Sequence, residues 1–126
     1  YGTVVQFQHV KSGCFLAVSY KLRAKVEHSN IRVDLVQEVN ENSHFIFENK
    51  SHHHQQNVRS GDEVLVSLDR SKHGKQGQYL HSSINSMTDP MTRRSTTNKE
   101  CNVSTQKTVW GVNLFSTVVS EMREIR

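Results

Sequence analysis

Cysteine and proline are scarce: the 126 residues hold two of the first and one of the second. Cys14 and Cys101 belong to no CxxC pair and fall far short of the cysteine density by which small secreted scaffolds are stapled, so reduced cysteines in a cytosolic setting are expected, although a disulfide between the two stays formally open. Cys14, beside Phe15, reads as a small hydrophobe. Long apolar runs are missing as well. The longest, Cys14 to Val18, has five residues, against the ~20 that a helix needs to cross a bilayer. With 34% hydrophobic residues and a mean hydropathy of −0.64, no direct membrane insertion by this segment is expected. Charge is not concentrated either. A net charge of +4 and a pI near 9.3 favour anionic neighbours, yet the basic residues are scattered. The densest groups, Lys21 to Lys25 and Lys72 to Lys75, lack the interleaved aromatics that grip single strands. No nucleic-acid motif is present, and no nucleic-acid partner is expected.

Catalytic signatures are absent too. There is no Gly-x-Ser-x-Gly elbow, HExxH pair or phosphate-cradling loop. Eight histidines and many serines and carboxylates allow a triad to be drawn on paper, but catalysis needs them to converge. The reading is nonenzymatic, with no catalytic, cofactor-binding, metal-binding or ligand-binding residue assigned and no cofactor. The run Ser51-His52-His53-His54-Gln55-Gln56 invites a metal ion. Adjacent strand residues point to opposite faces, however, and no Cys or carboxylate pair stands at ligand spacing, so a solvated loop is the favoured reading. Asn49-Lys50-Ser51 and Asn102-Val103-Ser104 have the form of glycosylation triplets, which on a cytosolic reading are chance matches.

What is present is a repeat. Gly2 is followed by Val5 and Phe7, then Gly13 by Phe15-Leu16; Gly61 is followed by Val64 and Val66 at the same offsets, then Gly77 by Tyr79-Leu80. Each copy reads as strand, glycine turn, strand, and recurrence after about 60 residues marks a repeat architecture. The four glycines read as turn formers that permit positive φ rather than as phosphate contacts. A polar stretch and an aromatic strand follow each hairpin: Ser43 to Phe47 in one, Val109 to Phe115 in the other. Ile31, Val33 and Leu35 alternate with Arg32 and Asp34 at a strand's period of two, with Cys101 and Val103 as a weaker counterpart.

The segments YGTVVQFQHVKSGCFLAV, KLRAKVEHSNIRVDL, GDEVLVSLDRSKHGKQGQYLHSS and TVWGVNLF resemble, in order, successive parts of the amino-terminal β-trefoil of the inositol trisphosphate receptor, a domain shared more distantly with the ryanodine receptor. The resemblance covers Tyr1 to about Phe115. It implies an all-β fold: a partial β-trefoil with about two of three repeat units visible and a short helix. Residues 1–126 would be a single domain, the carboxy-terminal two-thirds of the trefoil, with units at about 1–59 and 60–116. The chain starts at Tyr1 without a methionine or a leader, so an excised piece is expected, with the first unit upstream and lower stability than a complete trefoil. The family's short helix falls near Lys21 to Asn30, where few breakers occur. A tryptophan of the family falls where His44 stands, which implies weaker core packing in that unit. Ser82 to Lys107, polar and holding Pro90, reads as a long connection or inserted loop; Arg93-Arg94-Ser95-Thr96 within it has the form of a kinase site.

By the same resemblance the function is regulatory. The family's trefoil lowers the affinity of the following ligand-binding core for inositol trisphosphate and couples occupancy to gating of a calcium channel on the cytosolic face of the endoplasmic reticulum. The implied partners are that adjoining core in the same chain and neighbouring subunits of a homotetramer, with Val10 to Gly13 and Lys72 to Gly77 as contact loops. None of the family's ligand-contacting basic residues matches a position here. Alternatives are a ryanodine-receptor-type amino-terminal domain and a binding module of the protein O-mannosyltransferase type; a ricin-type sugar binder fits less well, because Gln106 stands four residues before Trp110 where that repeat has two.

Overall fold

Short runs of β-branched and aromatic residues, punctuated by Gly, Asn and Ser, favour strands and tight turns. The computed structural model describes residues 1–50, 57–69, 77–89 and 91–113. The strands are β1 (Val4–Val5), β2 (Phe15–Arg23), β3 (Ile31–Val36), β4 (Phe45–Asn49), β5 (Glu63–Leu68), β6 (Tyr79–Thr88), β7 (Ser95–Ser104) and β8 (Trp110–Gly111). They form one 8-stranded sheet in the order β1-β4-β5-β6-β7-β3-β2, with β8 also on β5. Its ends curl toward each other. Just past β1 the chain returns onto β2: the Leu16 N–H donates to the Phe7 carbonyl at 2.9 Å and the His9 N–H to the Cys14 carbonyl at 2.7 Å. The result is a curled half-barrel, all-β, a partial β-trefoil. The helix among the described residues is one 3-10 turn, Glu41–Ser43, capped by the Asn40 side chain.

Strand pairing reflects the sequence echo. Val5 lies opposite Phe45 on β1 and β4, and Val64 opposite Trp110 on β5 and β8. The Gly2 N–H donates to the Phe47 carbonyl at 3.1 Å, and the Gly61 N–H to the Val112 carbonyl at 2.6 Å. Gly2 and Gly61, with φ of 81 and 92, sit in the left-handed region, as do Gly13 and Gly77. A side chain at such a position crowds the following carbonyl, at about 1–2 kcal/mol. Gly13, Gly61 and Gly77 therefore serve turns and bends, as their placement suggested, while Gly2 takes the same backbone conformation just ahead of β1.

The core forms where β4 and β5 pack beneath the hairpins. Phe45, Val18, Val64, Val66, Leu68, Leu80 and Val103 are buried together. Phe7 reaches in from the first hairpin, its ring centroid 5.3 Å from that of Phe45 and 5.6 Å from that of Phe47. These tilted and edge contacts add to the area that the rings remove from water.

Three expectations are corrected. Lys21 to Asn30 is not helical: β2 continues to Arg23, the Ala24 N–H donates to the Asn30 carbonyl at 3.0 Å, and the N–H groups of Lys25, Val26 and Glu27 converge on the Glu100 carboxylate. A tertiary acceptor outweighs local propensity. Ser82 to Lys107 is no inserted loop, because its two halves supply most of β6 and β7, each 10 residues long and paired from Tyr79↔Ser104 to Thr88↔Ser95. Its serines, threonines and asparagines lie in a hydrogen-bonded ladder. His44 does not take the place equivalent to Trp110 in its unit. Phe45, in register with the place Trp110 takes on β8, is 0% exposed and fills the centre.

Candidate functional site

Apolar side chains of several strands, the buried Val64, Val66 and Leu80 among them, line a cleft of about 490 Å3. Phe7 and Leu16 from the first hairpin, Phe47 from β4, Val64 and Val66 from β5, Leu80 from β6 and Trp110 with Val112 from the closing segment line it. Register explains the convergence. Val64 and Val66 alternate on one face of β5, while Phe47 lies opposite Val66 on β4. The Trp110 indole N–H donates to the Leu80 carbonyl at 3.0 Å, which fixes the ring at the rim. None of the lining residues is charged. Such a surface suits apolar side chains and lacks the Lys and Arg forks by which phosphates are held. Cys101 lines it as well, with its thiol pushed up to about 11, first by burial and then by the Glu100 charge, so it carries little thiolate near neutral pH.

Behind the cleft lies a buried polar network. Glu100 on β7, 8% exposed, accepts the Lys25 N–H at 2.6 Å, the Val26 N–H at 3.1 Å and the Glu27 N–H at 3.3 Å. Asn102, 0% exposed, donates to both Glu100 and Glu27 at 3.1 Å and accepts from Asn30 at 3.1 Å. Burial alone would raise the Glu100 carboxyl, but the bonds from Asn102 and from the backbone of Val26, Glu27 and Lys25 outweigh it and hold the group below its ordinary value. Buried His81 bonds the Thr108 hydroxyl through Nδ1. Its Nε2 stands 3.2 Å from Glu27 Oε1 without the alignment of a hydrogen bond. The network pins the 24–30 turn to β6 and β7, a positioning role.

The residues singled out by sequence fall apart from one another. Val10, 89% exposed, tips the first hairpin, where Ser12 bonds His9 Nδ1 at 2.8 Å. Of the second contact loop only Gly77 is described, and the histidine run at 51–56 lies outside the described residues, as does Pro90. Arg93 and Arg94 are exposed at the β6–β7 tip. Full burial of Asn102 closes that triplet to glycosylation in the folded chain. Cys14 and Cys101 are free thiols. The resemblance implies a surface left exposed by the missing first unit but assigns no residues to it, and sequence reasoning missed the Glu100 cap. Glu100 as the one acidic residue of β7 was the available signal, but nothing in its neighbourhood tells which backbone it meets.

The two copies of the repeat, each paired with the aromatic strand that follows it, thus stand in one sheet, and the family model for "Inositol 1,4,5-trisphosphate/ryanodine receptor" matches residues 1–121. A match over nearly the whole sequence carries the conclusion that the chain belongs to the inositol 1,4,5-trisphosphate/ryanodine receptor family.

Proposed function

We propose that this chain is a cytosolic regulatory domain of an intracellular calcium-release channel of the endoplasmic reticulum, one that lowers the ligand affinity of an adjoining core and couples ligand occupancy to gating. The observation that carries the reading is the family match over residues 1–121. The uncharged lining of the cleft supports regulation without direct contact with a polyphosphate. A domain that packs differently against the core in free and liganded states contributes a coupling free energy, typically about 1–3 kcal/mol. Its partners on this reading are the ligand-binding core of the same chain and the neighbouring subunits of a homotetramer, met through the hairpin tips around Val10 to Gly13 and Lys72 to Gly77. Residues 1–126 then make one domain, the carboxy-terminal two-thirds of a trefoil, with units at about 1–59 and 60–116. The matching register of Val5↔Phe45 and Val64↔Trp110 supports that division.

The test is ligand-evoked calcium flux from vesicles carrying the parent channel, intact and with the trefoil deleted. The deleted channel is expected to bind ligand yet release little calcium; release equal to that of the intact channel contradicts the proposal. A ryanodine-type channel is the second reading, favoured by a family description that names both receptors. It predicts flux that ignores inositol trisphosphate in either form.

A further inference from the structure

We propose that Thr96 is the phosphoacceptor of an arginine-directed protein kinase, with Arg93 and Arg94 as its recognition elements. The two cations stand three and two residues ahead of the acceptor in Arg93-Arg94-Ser95-Thr96, and the turn holds both of them outward. The Arg93 N–H donates to the Asp89 carbonyl at 2.7 Å, the Asp89 N–H to the Arg94 carbonyl at 2.9 Å, and Arg93 takes a left-handed φ of 57. Met91, 90% exposed, confirms that the tip projects into solvent.

The acceptor strand can be approached from one side. β3 joins β7 at Asn102 and Val103, so among the described residues the stretch from Ser95 to Lys99 is paired only with β6 and keeps a free edge. That edge is extended backbone of the kind an enzyme groove pairs with. On the β6 side the ladder has register shifts between Ser82 and Ser86 and between Ser86 and Thr88, so the pairing at this end is locally disrupted. Thr96 itself is half-buried. Its hydroxyl donates to the Met87 carbonyl at 2.8 Å and accepts the Asn98 N–H at 3.2 Å, so the hairpin end must part for transfer. In the transfer Thr96 Oγ attacks the γ-phosphorus of ATP. A new O–P bond forms, the bond from that phosphorus to the bridging oxygen breaks, ADP leaves, and the hydroxyl proton goes to the kinase's base.

The product carries a charge of about −1.5 to −2 and has lost the proton that held Met87. Arg93 and Arg94 lie within the same turn, and Lys25 lines a cleft of about 530 Å3 together with Met87. The modified tip therefore rearranges around the phosphate next to the Glu100-capped turn. This inference stands on the hairpin alone and not on the proposed channel role.

The native chain, incubated with ATP and the catalytic subunit of a kinase selective for paired arginines, is mapped by fragmentation mass spectrometry. A single phosphate on Thr96 is expected, with the initial rate falling about tenfold or more in R93Q/R94Q and no incorporation in T96V. The arginine variant alters exposed side chains only, so its fold serves as the control should T96V unfold. Phosphate on Ser95 instead, labelling of the urea-unfolded chain alone, or an unchanged rate in R93Q/R94Q overturns the proposal.

Discussion

At the scale of single residues, Phe45 and Glu100 do most to define the molecule. Phe45 is 0% exposed, touches Phe7, and sits opposite both Val5 and Leu68. Phe45→Ala removes a ring that its neighbours cannot replace, at about 3–5 kcal/mol; urea unfolding of the variant should show a loss of that size, and a loss under about 1 kcal/mol would mean that the site collapses freely. Glu100 acts through charge. Because its folded carboxyl is held below the ordinary value, its contribution to stability is present above the unfolded carboxylate range and is lost as pH falls through the folded value. Glu100→Gln keeps the shape but weakens charge-assisted bonds, worth about 1.5–3 kcal/mol each. Urea midpoints measured from about pH 7 down to about pH 3 should start lower and fall less steeply in the variant than in the parent. Parallel curves would show that the carboxylate is not what holds the turn.

At the scale of elements, the glycine turns are the clearest case of sequence dictating structure. Gly61 has open space around its missing Cβ, so Gly61→Ala meets no steric clash with neighbours. It strains only the backbone, at about 1–2 kcal/mol, and the chain should unfold at correspondingly lower urea; an unchanged midpoint would show that the turn relaxes to negative φ. The glycine positions, the β3 alternation and the aromatic strands could all be read from the sequence because each depends on local chemistry: positive φ, a period of two, a short apolar run. Where reading failed, the deciding partner was distant. Lys21 to Asn30 looked helical because the Glu100 carboxylate that captures its N–H groups lies more than seventy residues away in the chain. β6 and β7 looked like loop because their Ser, Thr and Asn residues have low apolar content, and their ladder appears only once the two runs are paired. His44 drew attention that belonged to its neighbour, since only register places Phe45 opposite Val5. The residues that line the cleft could not be read from the sequence, because they come from strands across the whole chain.

For the whole molecule, the open side of the half-barrel is the main consequence of the fold. Phe7, Leu16, Phe47 and Trp110 in the cleft's lining are only half-buried, and each Phe or Leu removed fully from water contributes about 1.5–3 kcal/mol. On the proposal that a further trefoil unit precedes this chain, restoring the upstream sequence raises the urea midpoint and lowers binding of an apolar dye to the cleft; an unchanged midpoint contradicts it. The regulatory reading itself rests on coupling between this domain and a ligand-binding core. Calorimetric titration of inositol trisphosphate into the parent's amino-terminal region, with the trefoil present and with it deleted, and into this chain alone, tests it most directly. Deletion should tighten binding by a factor of about 5–150, the range that a coupling of about 1–3 kcal/mol produces, while the isolated chain gives no heat of binding. Equal affinities with and without the domain, or ligand binding by the isolated chain, would contradict it.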